Sequence, residues 1–273
     1  MSQTLGLFVY ICGVSHPFLK KSLGQHFLKD ENVLRKITEA IGDLKRFKTV
    51  VEVGPGMGAL TKHLLAQKPD NFYVVELDDR WAAYLAQTYP QLEGRIFNVD
   101  FLKADLSFMQ QPTHIVGNFP YNISSQIVFR MLDYKEVVEE MTGMFQKEMA
   151  WRIAAKHGSK DYGVISVLTQ AYYDCQYLFD VSPGCFDPPP KVMSGIIKLN
   201  RKPADKALQC DAVMFKKVVK AAFNQRRKTM RNSLSQLVSD KALLSDEVFN
   251  LRPEQLSVAD FEKLTVKIQG LQA

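Results

Sequence analysis

Val50-Val51-Glu52-Val53-Gly54-Pro55-Gly56-Met57-Gly58 runs from three valines in four residues into a glycine-rich turn. The valine-rich run reads as a buried strand, and the apolar positions from Ala59 to Gln67 read as the helix that follows. Glycines at such a junction let the backbone turn tightly and approach a ligand. The glycine spacing and the internal Pro55 differ from the dinucleotide fingerprint GxGxxG. On its own, the loop is therefore either a ligand cradle of another kind or a plain strand-to-helix turn.

The same rhythm continues on both sides. Upstream, Asp30 caps a helix whose apolar positions Val33, Leu34, Ile37 and Ile41 recur at helical spacing, and Gly42 ends it. Downstream, Phe72 to Leu77, Arg95 to Val99, His114 to Gly117 and Met141 to Phe145 read as strands. Helices at Arg80 to Thr88 and Ser125 to Leu132 alternate with them. This order predicts an α/β fold with a doubly wound, mainly parallel sheet. Val164 to Ala171 and Met193 to Asn200 also read as strands, separated by a connection holding Asp187-Pro188-Pro189-Pro190. That proline run predicts a stiff, extended surface segment. Residues 201 to 212 read as a linker. Beyond them, Phe215, Val218, Val219, Ala222 and Phe223 mark one helix and Leu234, Leu237 and Val238 a second. A third, with Phe261, Leu264 and Ile268 on one face, is capped by Ser257 and Asp260. The organisation is an extension over 1–19, a ligand-binding domain over 20–200 and a small all-helical domain over 201–273.

One polar residue stands at each strand's carboxyl edge, where open α/β sheets bind ligands. Glu76 after the second strand can take both hydroxyls of a ribose, and Asp100 after the third can accept from an adenine amino group. After the fourth comes Asn118-Phe119-Pro120-Tyr121. The Asn118 carbonyl can accept one hydrogen of an exocyclic amine. Pro120 has no N–H and keeps the chain rigid, with backbone carbonyls available for the other hydrogen. Tyr121 offers a face on which a base can stack. The tetrad describes an amine-methylating pocket, and the ordered strand-end residues indicate S-adenosylmethionine as methyl donor.

The net charge of +6 lies entirely in the tail. From Arg201 onward there are 14 Lys+Arg against 8 Asp+Glu, whereas residues 1 to 200 balance at 21 against 21. Seven basic residues and no acid lie between Lys216 and Arg231: Lys216, Lys217, Lys220, Arg226, Arg227, Lys228 and Arg231. On a helix with one apolar face they predict a phosphate-binding ridge suited to structured RNA. Cys12, Cys175, Cys185 and Cys210 show neither CxxC pairing nor companion histidines, which argues against a disulfide framework and a metal site and for a reducing, cytoplasmic setting. The apolar run Leu5 to Val14 lacks a preceding basic region and precedes Lys20-Lys21, the wrong order for secretion. No run reaches the length of a membrane helix.

Five stretches together resemble one family. They are Leu23-Gly24-Gln25-His26-Phe27-Leu28, Val53 to Thr61, Gly117 to Ser124, Phe186-Asp187-Pro188-Pro189-Pro190-Lys191-Val192, and Ala222-Phe223-Asn224-Gln225-Arg226-Arg227-Lys228-Thr229. From Lys20 to about Ile268 the chain resembles the KsgA-type small-subunit ribosomal RNA adenine dimethyltransferases, class I S-adenosylmethionine enzymes with a Rossmann-like sheet. The resemblance implies cofactor contacts at His26, Leu28, Gly54, Gly56, Glu76, Asp100 and Asn118. It implies catalytic work at Asn118, Pro120 and Tyr121, and RNA contacts at Lys217, Lys220, Arg226, Arg227, Lys228 and Arg231. It also implies N6-dimethylation of two adjacent adenosines near the 3′ end of small-subunit rRNA, by a monomer acting on an immature subunit without a metal. Phe119 departs from the Asn-Leu-Pro-Tyr form of the tetrad, and its larger ring either alters packing or adds a stacking face. Two alternatives stay open: a 23S rRNA adenine methyltransferase, and an assembly factor whose methylation is dispensable.

Overall fold

The computed structural model describes residues 9–11, 14–16, 26–206, 208–238 and 241–270. The rest of the N-terminal extension, Lys20, Lys21 and Leu23-Gly24-Gln25 of the first motif, and Cys12 lie outside the described residues. In chain order the strands and helices are β1 (Val9–Ile11), β2 (Val14–His16), β3 (Phe27–Leu28), α1 (Glu31–Ile41), β4 (Thr49–Val53), α2 (Thr61–Ala66), β5 (Phe72–Val75) and α3 (Asp79–Thr88). Next come β6 (Ile96–Phe97), β7 (Thr113–Asn118), α4 (Ser124–Asp133), β8 (Val138–Gln146), α5 (Lys147–Ala154), α6 (Val164–Gln170), β9 (Tyr173–Val181), β10 (Phe186–Asp187) and β11 (Ser194–Arg201). The tail holds α7 (Ala212–Asn224), α8 (Met230–Leu234) and α9 (Val258–Gln269). No helix among the described residues is long and apolar enough to cross a membrane.

Seven strands form one sheet in the order β6-β5-β4-β7-β8-β11-β9. It is parallel from β6 to β8. All five residues of β4 are buried, as a central strand covered on both faces requires. α1 forms because the Asp30 side chain accepts from the N–H groups of Asn32 (2.9 Å) and Val33 (3.1 Å), two donors that the first turn leaves unpaired. Its apolar stripe, Leu34, Ile37 and Ile41, is buried, each side chain contributing roughly 1.5–3 kcal/mol relative to exposure. The chain order of β4, β5 and β7 matters most for function. β5 lies on one side of β4 and β7 on the other, so a crevice opens between the loops that leave β4 and β7.

The chain divides into two compact units, Met1–Ala150 with Tyr177–Leu199, and Trp151–Gln176 with Asn200–Ala273. The sequence reading placed 151–176 with the ligand-binding domain, whereas here that segment groups with the helical tail. Part of it also changes type. Val164 to Ala171 reads as a strand, but α6 is a helix with five consecutive buried residues, started by the Ser166 hydroxyl accepting from the Gly163 N–H at 3.0 Å. A short run apolar on every side carries no period by which helix and strand differ. The strand follows instead, as β9. The proline-rich connection is not a free extended segment either. Phe186 and Asp187 form β10, paired antiparallel with β3, with Phe186 fully buried and Pro189 exposed.

Phe119 belongs to the core. It is 1% exposed, its ring centroid lies 5.0 Å from that of Phe145, and it fills space left by Gly117 and Gly143. A Cβ on Gly143 would lie 2.0 Å from Phe119 Cε2. The packing reading is the correct one, and the ring offers no stacking face. Gly143→Ala should therefore cost about 1–3 kcal/mol through overpacking, read as a lower urea midpoint, and adding Phe119→Leu should recover at least half of the loss. An unchanged midpoint for Gly143→Ala would show that the two positions do not constrain each other.

Candidate active site

The crevice between the loops after β4 and β7 is a cavity whose lining includes His26, Leu28, Gly54, Gly56, Glu76, Asp100, Asn118, Pro120 and Tyr121. Every cofactor and catalytic position singled out in the sequence is thus brought to one place. Gly54 and Gly56 adopt φ of +68° and +53°, the left-handed region in which a side chain is strained. A Cβ on Gly56 would also lie 2.5 Å from the Phe27 ring. The loop needs glycine for both conformation and space.

Glu76, 7% exposed, is gripped by backbone. Its Oε2 accepts from the Gly56 N–H at 3.0 Å and its Oε1 from the Asp78 N–H at 2.9 Å. Burial raises its pKa, while these bonds oppose the rise. With the Leu77 N–H also acting on the carboxyl, it still keeps lone-pair capacity for a ligand hydroxyl. Asp100 differs from the sequence reading in position. β6 ends at Phe97, so Asp100 stands in the following turn, where its Oδ1 accepts from the Leu102 N–H at 2.9 Å.

Asn118 ends β7, and its orientation is set from far along the chain. Nδ2 donates to the His26 carbonyl at 3.0 Å. A carbonyl only accepts, so the amide's nitrogen end faces His26 and Oδ1 is left to accept from another group. The same reasoning places the proton of His26 on Nδ1, which donates to the Pro188 carbonyl at 2.8 Å. His26 stacks on Tyr121 with centroids 5.8 Å apart and planes 26° apart. Tyr121 is held at its other end by a 2.5 Å hydrogen bond between its hydroxyl and that of Ser194, which is fully buried. Pro120 is not wholly free of partners, since its carbonyl accepts from the Ile123 N–H at 3.2 Å and retains one lone pair.

Sequence reasoning missed four residues here. Leu77 and Val99 are 50% and 41% exposed apolar side chains on the cavity, beside Glu76 and Asp100. Their signal was an apolar residue next to each strand-end acid, where a plain surface turn would be polar. Ser194 carried no local signal, because its partner is 73 residues away. The fourth is Glu52, buried in mid-strand on the cavity wall, where its carboxyl Oε2 accepts from the Thr61 hydroxyl at 2.7 Å. Desolvation pushes its pKa to about 8, with the charge of Glu76 adding to the rise.

The donor set fits S-adenosylmethionine. A glycine cradle, a fixed carboxylate with lone pairs for a diol, and apolar faces suited to a purine match the parts of a nucleoside. Among the described residues no group of three or more His, Cys, Asp or Glu could hold a metal ion.

The basic positions lie in the second unit, where α7 ends at Asn224 and α8 begins at Met230, so they do not share one helix. Lys217 and Lys220 are exposed on α7, Arg227 and Lys228 in the intervening turn, and Arg231 on α8, where it donates to Asn250 Oδ1 at 3.1 Å. Arg226 is half-buried and donates to the carbonyls of Ser159 and Lys160.

Glu52 sets a pH dependence. Its carboxyl ionises near 4.5 when unfolded and near 8 when folded, so its protonated form is favoured by the fold. Stability should therefore fall as pH rises between these values and level off above them. Glu52→Gln keeps an acceptor for Thr61 and removes the titration. Its melting temperature should gain on the parent's across that window, and a difference independent of pH would contradict a neutral Glu52.

The model of the ribosomal RNA adenine dimethylase family matches residues 18–262. A small-subunit ribosomal RNA methyltransferase A of Flavobacterium johnsoniae is 52% identical over 253 residues, 92% of this chain and 96% of that one. Among solved structures, a dimethyladenosine transferase from Plasmodium falciparum superposes with a TM-score of 0.76 at 23% identity, over 90% of this chain and 98% of that one. The 23S rRNA methyltransferase ErmE gives 0.64 at 26%, over 87% and 98%. These neighbours share the class I methyltransferase fold. With a family model spanning most of its length and a relative of this identity, the chain belongs to the ribosomal RNA adenine dimethylase family.

Proposed function

We propose that the protein transfers methyl groups from S-adenosylmethionine to N6 of two adjacent adenosines near the 3′ end of small-subunit rRNA, acting as a monomer in the cytoplasm on an immature subunit. The observation that carries this reading is the Asn118 amide, turned by His26 so that Oδ1 accepts. The choice of small-subunit over 23S rRNA rests on the name and 52% identity of the Flavobacterium relative, against 26% for ErmE.

Gly54 and Gly56 would cradle the cofactor, Glu76 would take its ribose hydroxyls, Leu77 and Val99 would flank its purine, and Asp100 would accept from the purine's amino group. When bound, S-adenosylmethionine supplies a methyl group activated by a sulfonium. The chain's task is to prepare the nucleophile, because the lone pair of adenine N6 is delocalised into the ring. Asn118 Oδ1 accepts one amine hydrogen, and the remaining lone pair of the Pro120 carbonyl takes the other. Both acceptors favour the geometry in which the nitrogen lone pair leaves conjugation. Tyr121, clamped between His26 and Ser194, supplies a face for the extruded base. No strong base is required, since the amine proton becomes acidic once nitrogen carries positive charge and can pass to water.

Mapping dimethyladenosine on immature small subunits incubated with the protein and S-adenosylmethionine should find it at two adjacent positions near the 3′ end. Modification confined to large-subunit RNA or to DNA would overturn the assignment. Asn118→Ala should lower transfer by about two orders of magnitude or more, comparable to losing one preorganised catalytic hydrogen-bonding group. RNA affinity should stay within a few fold, and equal loss of both would make Asn118 a structural residue.

A further inference from the structure

The loop Lys156-His157-Gly158-Ser159-Lys160 joins α5 to α6 and belongs to the same unit as the tail helices. Lys156, His157 and Lys160 are exposed. A merely solvated basic loop needs no support, yet this one is fastened at consecutive residues. The Gly158 N–H donates to the Glu254 carbonyl at 2.6 Å, and Arg226 Nη2 donates to the carbonyls of Ser159 at 3.4 Å and Lys160 at 2.5 Å. Two residues on, buried Tyr162 packs edge-on to Phe223 of α7, with centroids 6.1 Å apart, and His157 lies edge-on to Tyr162 at 6.5 Å.

We propose that this loop is a second RNA-backbone contact, in which Lys156 and Lys160 extend the basic surface of Arg227 and Lys228, and that Arg226 is the brace that joins the two. The inference rests on reading the helical unit as the RNA-binding surface. Arg226 directs its Nη2 donors to two neutral carbonyls, which take hydrogen bonds without cancelling its charge. Its positive field therefore remains in the surface while Nη2 is committed to the loop. Among the acids near the loop, Asp260 is engaged by the hydroxyl and N–H of Ser257, and the carboxyl of Glu254 is partly buried. Asp161, half-buried, adjoins Lys160. With 151–176 included, the unit holds 17 Lys+Arg against 10 Asp+Glu, leaving 18 against 19 for the rest of the chain. A surface of this sign with fixed spacing suits the phosphates of folded RNA, which is recognised largely through shape and backbone.

The test is the salt dependence of binding to a transcript of the 3′ end of small-subunit rRNA. Each lost phosphate contact should flatten the slope of log K against log salt by about 0.7–0.9. Lys156→Gln with Lys160→Gln should flatten it by about 1.4–1.8, and Arg227→Gln with Lys228→Gln should do likewise. Arg226→Ala should speed amide hydrogen exchange at 156–161 and weaken binding, and its effect should be less than additive with the lysine pair. If only the Arg227 and Lys228 variant changes the slope, the loop takes no part and the proposal fails, while the helical unit stands as the RNA surface. If neither pair changes it, the reading of the helical unit itself fails.

Discussion

The site depends on one constraint of the sheet: the strand that follows β4 in sequence lies on one side of it, and β7 lies on the other. The loops leaving β4 and β7 then part over a crevice that the buried strands below cannot close. Gly54 and Asn118 meet across it because their strands are paired in register, Glu52 opposite Val116. The glycine loop is the shape that the edge of the crevice demands. A side chain at Gly56 would collide with Phe27, and Phe27 is held by the pairing of β3 with β10. The motif before α1 therefore lines the crevice, and the proline-rich connection, 158 residues further on, supports it from behind.

Within the crevice the polar groups are fixed by backbone more than by one another. Glu76 is held by two N–H groups and Asn118 by the His26 carbonyl, and His26 is held in turn by the Pro188 carbonyl. Backbone partners do not titrate and have little rotamer freedom to lose, so such a site is preorganised. Glu52 is the contrasting case. Burial favours its protonated form, so the carboxyl group of Glu76, which faces the cavity, has no second negative charge directly behind it.

Much of this was legible because it is local. The cap at Asp30, the buried β4, the glycine turn and the Ser257–Asp260 capping pair are each written within a few residues, and each appears where the sequence places it. Non-local features were not legible. α6 is buried all round, so its sequence lacks the period that would separate it from a strand. Ser194 is an ordinary serine until Tyr121 reaches it. Phe119 illustrates the limit best. Its ring is an aromatic beside a base-handling tetrad, yet its role is set by the missing side chains of Gly117 and Gly143 on two neighbouring strands.

The basic residues show that charge and contact are separate properties of a side chain. Sequence counts Arg226, Arg227 and Lys228 as equals, because each adds one positive charge to the tail. In the fold Arg227 and Lys228 are exposed, whereas Nη2 of Arg226 is turned onto backbone carbonyls 66 and 67 residues earlier in the chain. Neutral acceptors leave its charge intact, so all three contribute to the positive field of the unit, while they differ in how much of each side chain is committed within the fold. The reach of the positive field therefore depends on the whole basic unit, while its local shape depends on which cations are exposed and which are bonded to backbone. Arg226, bonded through Nη2 to those carbonyls, ties residues 159–160 to the turn between α7 and α8.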